Sequence, residues 1–191
     1  MSSEQSQVVV GFDFSQSARF ALERAVALAA RAPFHVLHFV CLVDPHGGVA
    51  ALPTKHVDIV YIDRVRDELV TMVDLELRAA EARGRIHFHV HVRVAHDPAK
   101  ELLELAKEVG ADLIVVGCKG VHGLERMVLG SVSERVVRDA GCAVVIARPK
   151  TYSYVDHADV VEVESHAHHA GFRFTYDDKL GVAGPLRWPG A

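Results

Sequence analysis

Between Gln7 and about Ala147 the sequence alternates five short apolar runs with four stretches of helical pattern. Two neighbouring parallel strands need a long crossover, and a helix is the usual way to make one. The alternation therefore specifies a parallel sheet with helices on both faces, joined by right-handed crossovers. Few other folds tolerate it.

The runs can be read one by one. QVVVGF, from Gln7 to Phe12, is a short β-branched strand. The helical stretch after it places Phe20, Ala21, Val26 and Leu28 among good helix formers, with Ser15 as the N-cap. FHVLHFVCLVD is a second strand, and PHGGVAALPTKH reads as a loop. A long helix follows, its apolar line running through Val65, Leu69, Met72, Leu75 or Glu76, and Ala79. IHFHVHVRV is the third strand, and Pro98 opens the next helix at its first turn. LIVVG, SVSERVVRDA and AVVIAR complete the set as strand, short helix and strand. Four strands are apolar on both faces. In the third, Ile86, Phe88, Val90, Val92 and Val94 alternate with His87, His89, His91 and Arg93, the pattern of a half-covered edge. The strand order expected is 3-2-1-4-5, with the first strand near the centre.

At 191 residues, half of them hydrophobic, the chain suits one domain with a real core and a short appendage. A net charge of −4 leaves no basic footprint for DNA or RNA. Cys41, Cys118 and Cys142 contain no CxxC pair, which points away from a disulfide framework and a zinc site and toward a reducing, cytoplasmic setting. Neither a signal peptide nor a bilayer-length apolar run is legible, so no membrane partner is expected. Residues 150–191 carry aromatics and histidines without helical pattern. Val160 to Glu164 and Phe172 to Tyr176 are possible strands of a hairpin extension that would dock at a dimer seam.

In such sheets ligands sit outside the carboxyl ends of the strands where the order reverses. That brings Asp13 and Ser15, after strand one, next to the stretch after strand four. Gly117 and Gly120 there allow sharp turns and close approach to a ligand. Gly130 and Ser131 open the last helix, whose free N–H groups and positive dipole end favour an anion. The hydroxyls of Ser131 and Ser133 add donors, and Lys119 adds charge. The arrangement reads as a phosphate cradle, although neither a Walker loop nor a dinucleotide fingerprint is present.

Gly117-x2-Gly120-x9-Gly130-Ser131 resembles the ATP-binding signature of the universal stress proteins. The resemblance covers about residues 7 to 148 and includes Asp13-x-Ser15, the strand from Asp112 to Gly117 and the helix start from Gly130 to Glu134. It implies a flavodoxin-like (Rossmann-like) α/β sheet and an ATP site, with Mg2+ accompanying the nucleotide. Asp13 and Leu42 would stand on the adenine side; Gly117, Lys119, Gly120, Gly130, Ser131, Val132 and Ser133 would form the ribose and phosphate side. It also implies a homodimer through the last core strand and a role as a nucleotide-dependent regulator of the stress response, acting on an unknown protein partner. The chain departs from the family at His96-Asp97-Pro98, where a glycine is usual in place of His96.

Two other classes stand beside this reading. One is a nucleotide-free dimeric module of the same fold; the other is a slow ATPase, with weak turnover at most because no carboxylate pair lies beside the phosphate loop. His87, His89 and His91 share a strand face, but residues two apart on a strand are about 6.6–6.8 Å apart, which is splayed for a zinc site.

Overall fold

The computed structural model describes residues 5–31, 35–118 and 129–149. All of these belong to one unit, Met1–Lys150. The extension expected over 151–191 lies outside the described residues.

The elements run β1 (Ser6–Phe12), α1 (Gln16–Arg31), β2 (His35–Val43), β3 (Gly48–Val49), β4 (Leu52–Pro53), α2 (Ile59–Ala79), β5 (His87–Val94), α3 (Pro98–Glu108), β6 (Leu113–Gly117), α4 (Ser131–Asp139) and β7 (Ala143–Ala147). The main sheet has the order β5-β2-β1-β6-β7, all pairs parallel. This is the order expected from the sequence, and the fold is the flavodoxin-like one.

Alternate residues of each strand feed two separate cores. Val8, Val10, Phe12, Leu37 and Phe39 pack against α1 and α2. Val9, Val40, Ile114 and Val116 pack against α3 and α4. In α1 the buried stripe is Ala18, Ala21, Leu22, Ala25, Val26 and Ala29, with Phe20 and Leu28 only half-buried. Small residues on that stripe let α1 lie close to the sheet. In α2 the stripe is Tyr61, Val65, Leu69, Val73 and Leu77, an unbroken i+4 series. The sequence reading left this line after Leu69, and Leu75 is in fact 61% exposed.

Two further differences concern the sheet edges and the loop after β2. β7 is an edge strand with an exposed Ala143 and a half-buried middle, so it is not covered on both faces. The segment read as a loop contains β3 and β4, which pair as a small antiparallel hairpin apart from the main sheet.

Caps explain the helix starts. Asp58 accepts from the Tyr61 amide at the head of α2, and Asp97 accepts from the Lys100 amide at the head of α3, with Pro98 in the first turn. Among the described residues no helix is long and apolar enough to cross a membrane.

Candidate functional site

Strand order reverses at β1: the chain places β2 and β5 on one side of it and then β6 and β7 on the other. A cavity of about 380 Å³ opens there, at the carboxyl ends of the strands. Its lining includes Gly11 to Asp13 at the end of β1, Leu42 and Asp44 at the end of β2, Gly48 to Ala50 in the hairpin, Pro98 and Leu102 on α3, Gly117 at the end of β6, and Gly130 to Ser133 at the head of α4.

The turn after β1 is built by its own side chains. Asp13 Oδ1 accepts the Ser15 amide at 3.0 Å, and Ser15 Oγ accepts the Ala18 amide at 3.1 Å, capping α1. Between them Phe14 sits in the left-handed region at φ 63°, an unfavourable place for a bulky residue. The aspartate turn and an edge-on contact with Phe12, centroids 5.1 Å apart, hold it there. Asp13 lines the cavity. Ser15 does not; its hydroxyl serves the helix cap.

Packing alone requires a glycine at 117. A Cβ there would stand 2.6 Å from the backbone carbonyl of Ser17, so α1 approaches the end of β6 over bare backbone. The Gly117 carbonyl accepts a 2.7 Å hydrogen bond from Ser133 Oγ, a side chain only 5% exposed. Ser133 therefore ties α4 to β6, and its proton is committed to that carbonyl instead of serving as a free donor in the cradle.

The head of α4 keeps its expected geometry. Gly130, in extended conformation, is the N-cap and makes no side-chain cap. Its amide donates to the Cys118 carbonyl at 2.9 Å, which draws the start of α4 to the end of β6. The amides of Ser131, Val132 and Ser133 belong to the first turn, which lines the cavity. Lys119 and Gly120 lie outside the described residues. A second tie joins α4 to α3: Arg135 pairs with Asp97 and holds that carboxyl below its usual range, helped by the Lys100 amide.

His96, which replaces the family glycine, does not line the cavity. Its ring lies against His46, centroids 5.3 Å apart, so the departure does not crowd the crevice. Beside the cavity, burial and then the Asp13 carboxylate push the Cys41 thiol up to about 12, which leaves it protonated and inert.

The histidine strand face forms a hydrogen-bonded chain. Gln7 Nε2 donates to the Gln5 carbonyl, which turns Gln7 Oε1 toward His38 Nε2 at 2.9 Å. His38 then carries its proton on Nε2, and its Nδ1 accepts from His91 Nε2 at 3.1 Å. Burial first, then His91 and His89, lower the His38 pKa to about 4. Among the described residues no group of three His, Cys, Asp or Glu side chains is placed to hold a metal ion.

A model of the Universal stress protein family matches residues 6–148. The chain belongs to the universal stress protein family. Universal stress protein YxiE of Bacillus subtilis (strain 168) is 32% identical over 149 residues, covering 75% of this chain and 99% of that protein. Among solved structures, a universal stress protein family member from Burkholderia pseudomallei is 30% identical with a TM-score of 0.50, covering 76% of this chain and 98% of that one. The universal stress protein of Archaeoglobus fulgidus in complex with dAMP has a TM-score of 0.53 over 76% of this chain and 99% of its own, and at 24% identity it shows a shared fold.

Proposed function

We propose that the crevice binds ATP, with Mg2+ accompanying the nucleotide, and that the protein is a nucleotide-dependent regulator in the stress response. The observation that carries this reading is the head of α4, which has no side-chain cap and lines the cavity. Uncapped first-turn amides and the helix dipole favour a phosphate there. Asp13 and Asp44, lining the same cavity from β1 and β2, are acceptors for an amino group or sugar hydroxyls. A ligand with donors at one end and phosphate at the other matches that polarity. Asp13 and Leu42 would take the adenine side, and Gly117, Gly130, Ser131 and Val132 the ribose and phosphates, with Lys119 and Gly120 completing the loop. Mg2+ would be held mainly by phosphate oxygens and water. The dAMP in the Archaeoglobus fulgidus protein agrees with an adenine nucleotide as the ligand class.

The reading extends to assembly. β7 ends the sheet, and an apolar edge strand is an aggregation hazard unless covered. Pairing with its twin across a two-fold axis would cover it, giving a homodimer. The three cysteines, all free, agree with a cytoplasmic setting.

Calorimetric titration of the parent and of Gly130→Asp with MgATP tests the site. Aspartate is a good N-cap, so the variant should fold at least as stably. Its carboxylate would occupy the anion position and reduce affinity by about a hundredfold or more, since like charges would meet in the site. Equal affinity in both proteins would overturn the cradle. Absence of binding by the parent would favour the nucleotide-free module.

A further inference from the structure

One wall of the crevice is not part of the main sheet. Gly48, Val49 and Ala50 line the cavity from the β3–β4 hairpin, whose ladder is two residue pairs long. Such a ladder is too short to hold itself in water. Its outer end is closed by Asp44, which exchanges backbone hydrogen bonds with Gly48 and accepts the His46 and Gly47 amides on its carboxylate. Its inner end is held by one side chain. Tyr61 Oη accepts the Val49 amide at 2.7 Å and donates to the Leu52 carbonyl at 2.6 Å.

Tyr61 is well placed to hold a position. It lies in the first turn of α2, 7% exposed, and its own amide is fixed by the Asp58 cap at 2.8 Å. The hydroxyl thus links the hairpin to a helix anchored in the core. Gly48 makes room for it: at φ +74° a Cβ would stand 2.5 Å from the phenol oxygen.

We infer that Tyr61 is a positioning residue for the bound nucleotide, fixing the β3–β4 hairpin as a preformed wall that governs how long the ligand stays. The inference rests on the nucleotide reading of the crevice. Without the hydroxyl, the Val49 amide and the Leu52 carbonyl keep only each other in the ladder, and the hairpin loses its tie to α2. Binding must then order the hairpin each time, and an ordering cost of this kind shows mainly in the dissociation rate. The hydroxyl bonds to hairpin backbone and Tyr61 does not line the cavity, so it does not select the ligand.

The test compares the parent, Tyr61→Phe, Gly48→Ala and Val73→Ala. Two measurements are made: amide hydrogen exchange, and stopped-flow association and dissociation of a fluorescent N-methylanthraniloyl ATP. Tyr61→Phe keeps the ring in the core. It should speed exchange of the Val49 amide by about tenfold, leave β1 and β6 amides unchanged, and raise the dissociation rate about tenfold with association nearly unaltered. Gly48→Ala, which pushes on the same oxygen, should do likewise. Val73→Ala lowers stability on the same helix without touching the hairpin and should dissociate like the parent. Parent-like dissociation from Tyr61→Phe, or equally fast dissociation from Val73→Ala, would overturn the assignment. A parent that fails to bind the analogue would overturn the nucleotide reading and this inference with it. The exchange arm would then show whether Tyr61 still holds the hairpin.

Discussion

Replacing Gly117 by alanine tests why a glycine ends β6. The added methyl would lie 2.5 Å from Ser17 Oγ and 2.6 Å from both the carbonyl carbon and oxygen of Ser17. Carbon contacts settle at about 3.5–4.0 Å, so the first turn of α1 must move by roughly 1 Å. Overpacking of this kind costs about 1–3 kcal/mol. The Gly117 carbonyl also accepts from Ser133, and disturbing that bond adds about 1 kcal/mol. The expected loss is therefore about 2–4 kcal/mol. It would be read by urea unfolding followed by far-UV circular dichroism at fixed protein concentration. Adding Ser17→Ala removes the hydroxyl but leaves the backbone atoms in place, so it should restore less than half of the loss. A Gly117→Ala protein within about 0.5 kcal/mol of the parent, or full rescue by Ser17→Ala, would refute the close-approach argument.

Three other outcomes are expected. Because the fold lowers the His38 pKa from 6.5 to about 4, it favours the neutral ring: stability is full above about pH 6.5 and falls as the pH drops toward 4. The loss should be roughly 3–4 kcal/mol, at about 1.4 kcal/mol per pKa unit, and urea titrations of His38→Gln should show a flatter profile over that window. Arg93 bridges Glu101 and Glu108 and clamps edge strand β5 to α3, so Arg93→Met should cost about 1 kcal/mol, whereas breaking the exposed Arg66–Asp63 pair should cost close to nothing in the same assay. Sedimentation velocity at neutral pH should show a dimer, and a monomer at micromolar concentration would contradict the pairing proposed for β7.

The main sheet was legible because each strand carries its own signal. Alternation in His87–Val94 marked the edge, and the unbroken run at Val8–Val10 marked the centre. Apolar spacing alone could not settle the buried line of α2 past Leu69. Met72 and Val73 both fit it, and contact with the sheet decided for Val73 and Leu77. The hairpin escaped notice because Pro45, Gly47 and Gly48 read as loop, while the phenol that organises it comes from a later helix. Asp13 and Gly130 both line the cavity, and each was legible from its place at a strand end or helix start. The partners of Ser15 and Ser133 were not all local: Ser15 caps its own helix, but Ser133 bonds to a carbonyl 16 residues away. The left-handed turn at Phe14 had a local signal that went unread, since Asp13 and Ser15 flank it at the spacing of an aspartate turn.

The most direct test of the nucleotide assignment is native mass spectrometry of the protein as purified, before and after addition of MgATP, with Gly130→Asp alongside. The account predicts one adenine nucleotide per chain on a dimer of the parent, and none on the variant. A parent that carries no nucleotide even after MgATP is added, or a variant that carries it equally well, would contradict it.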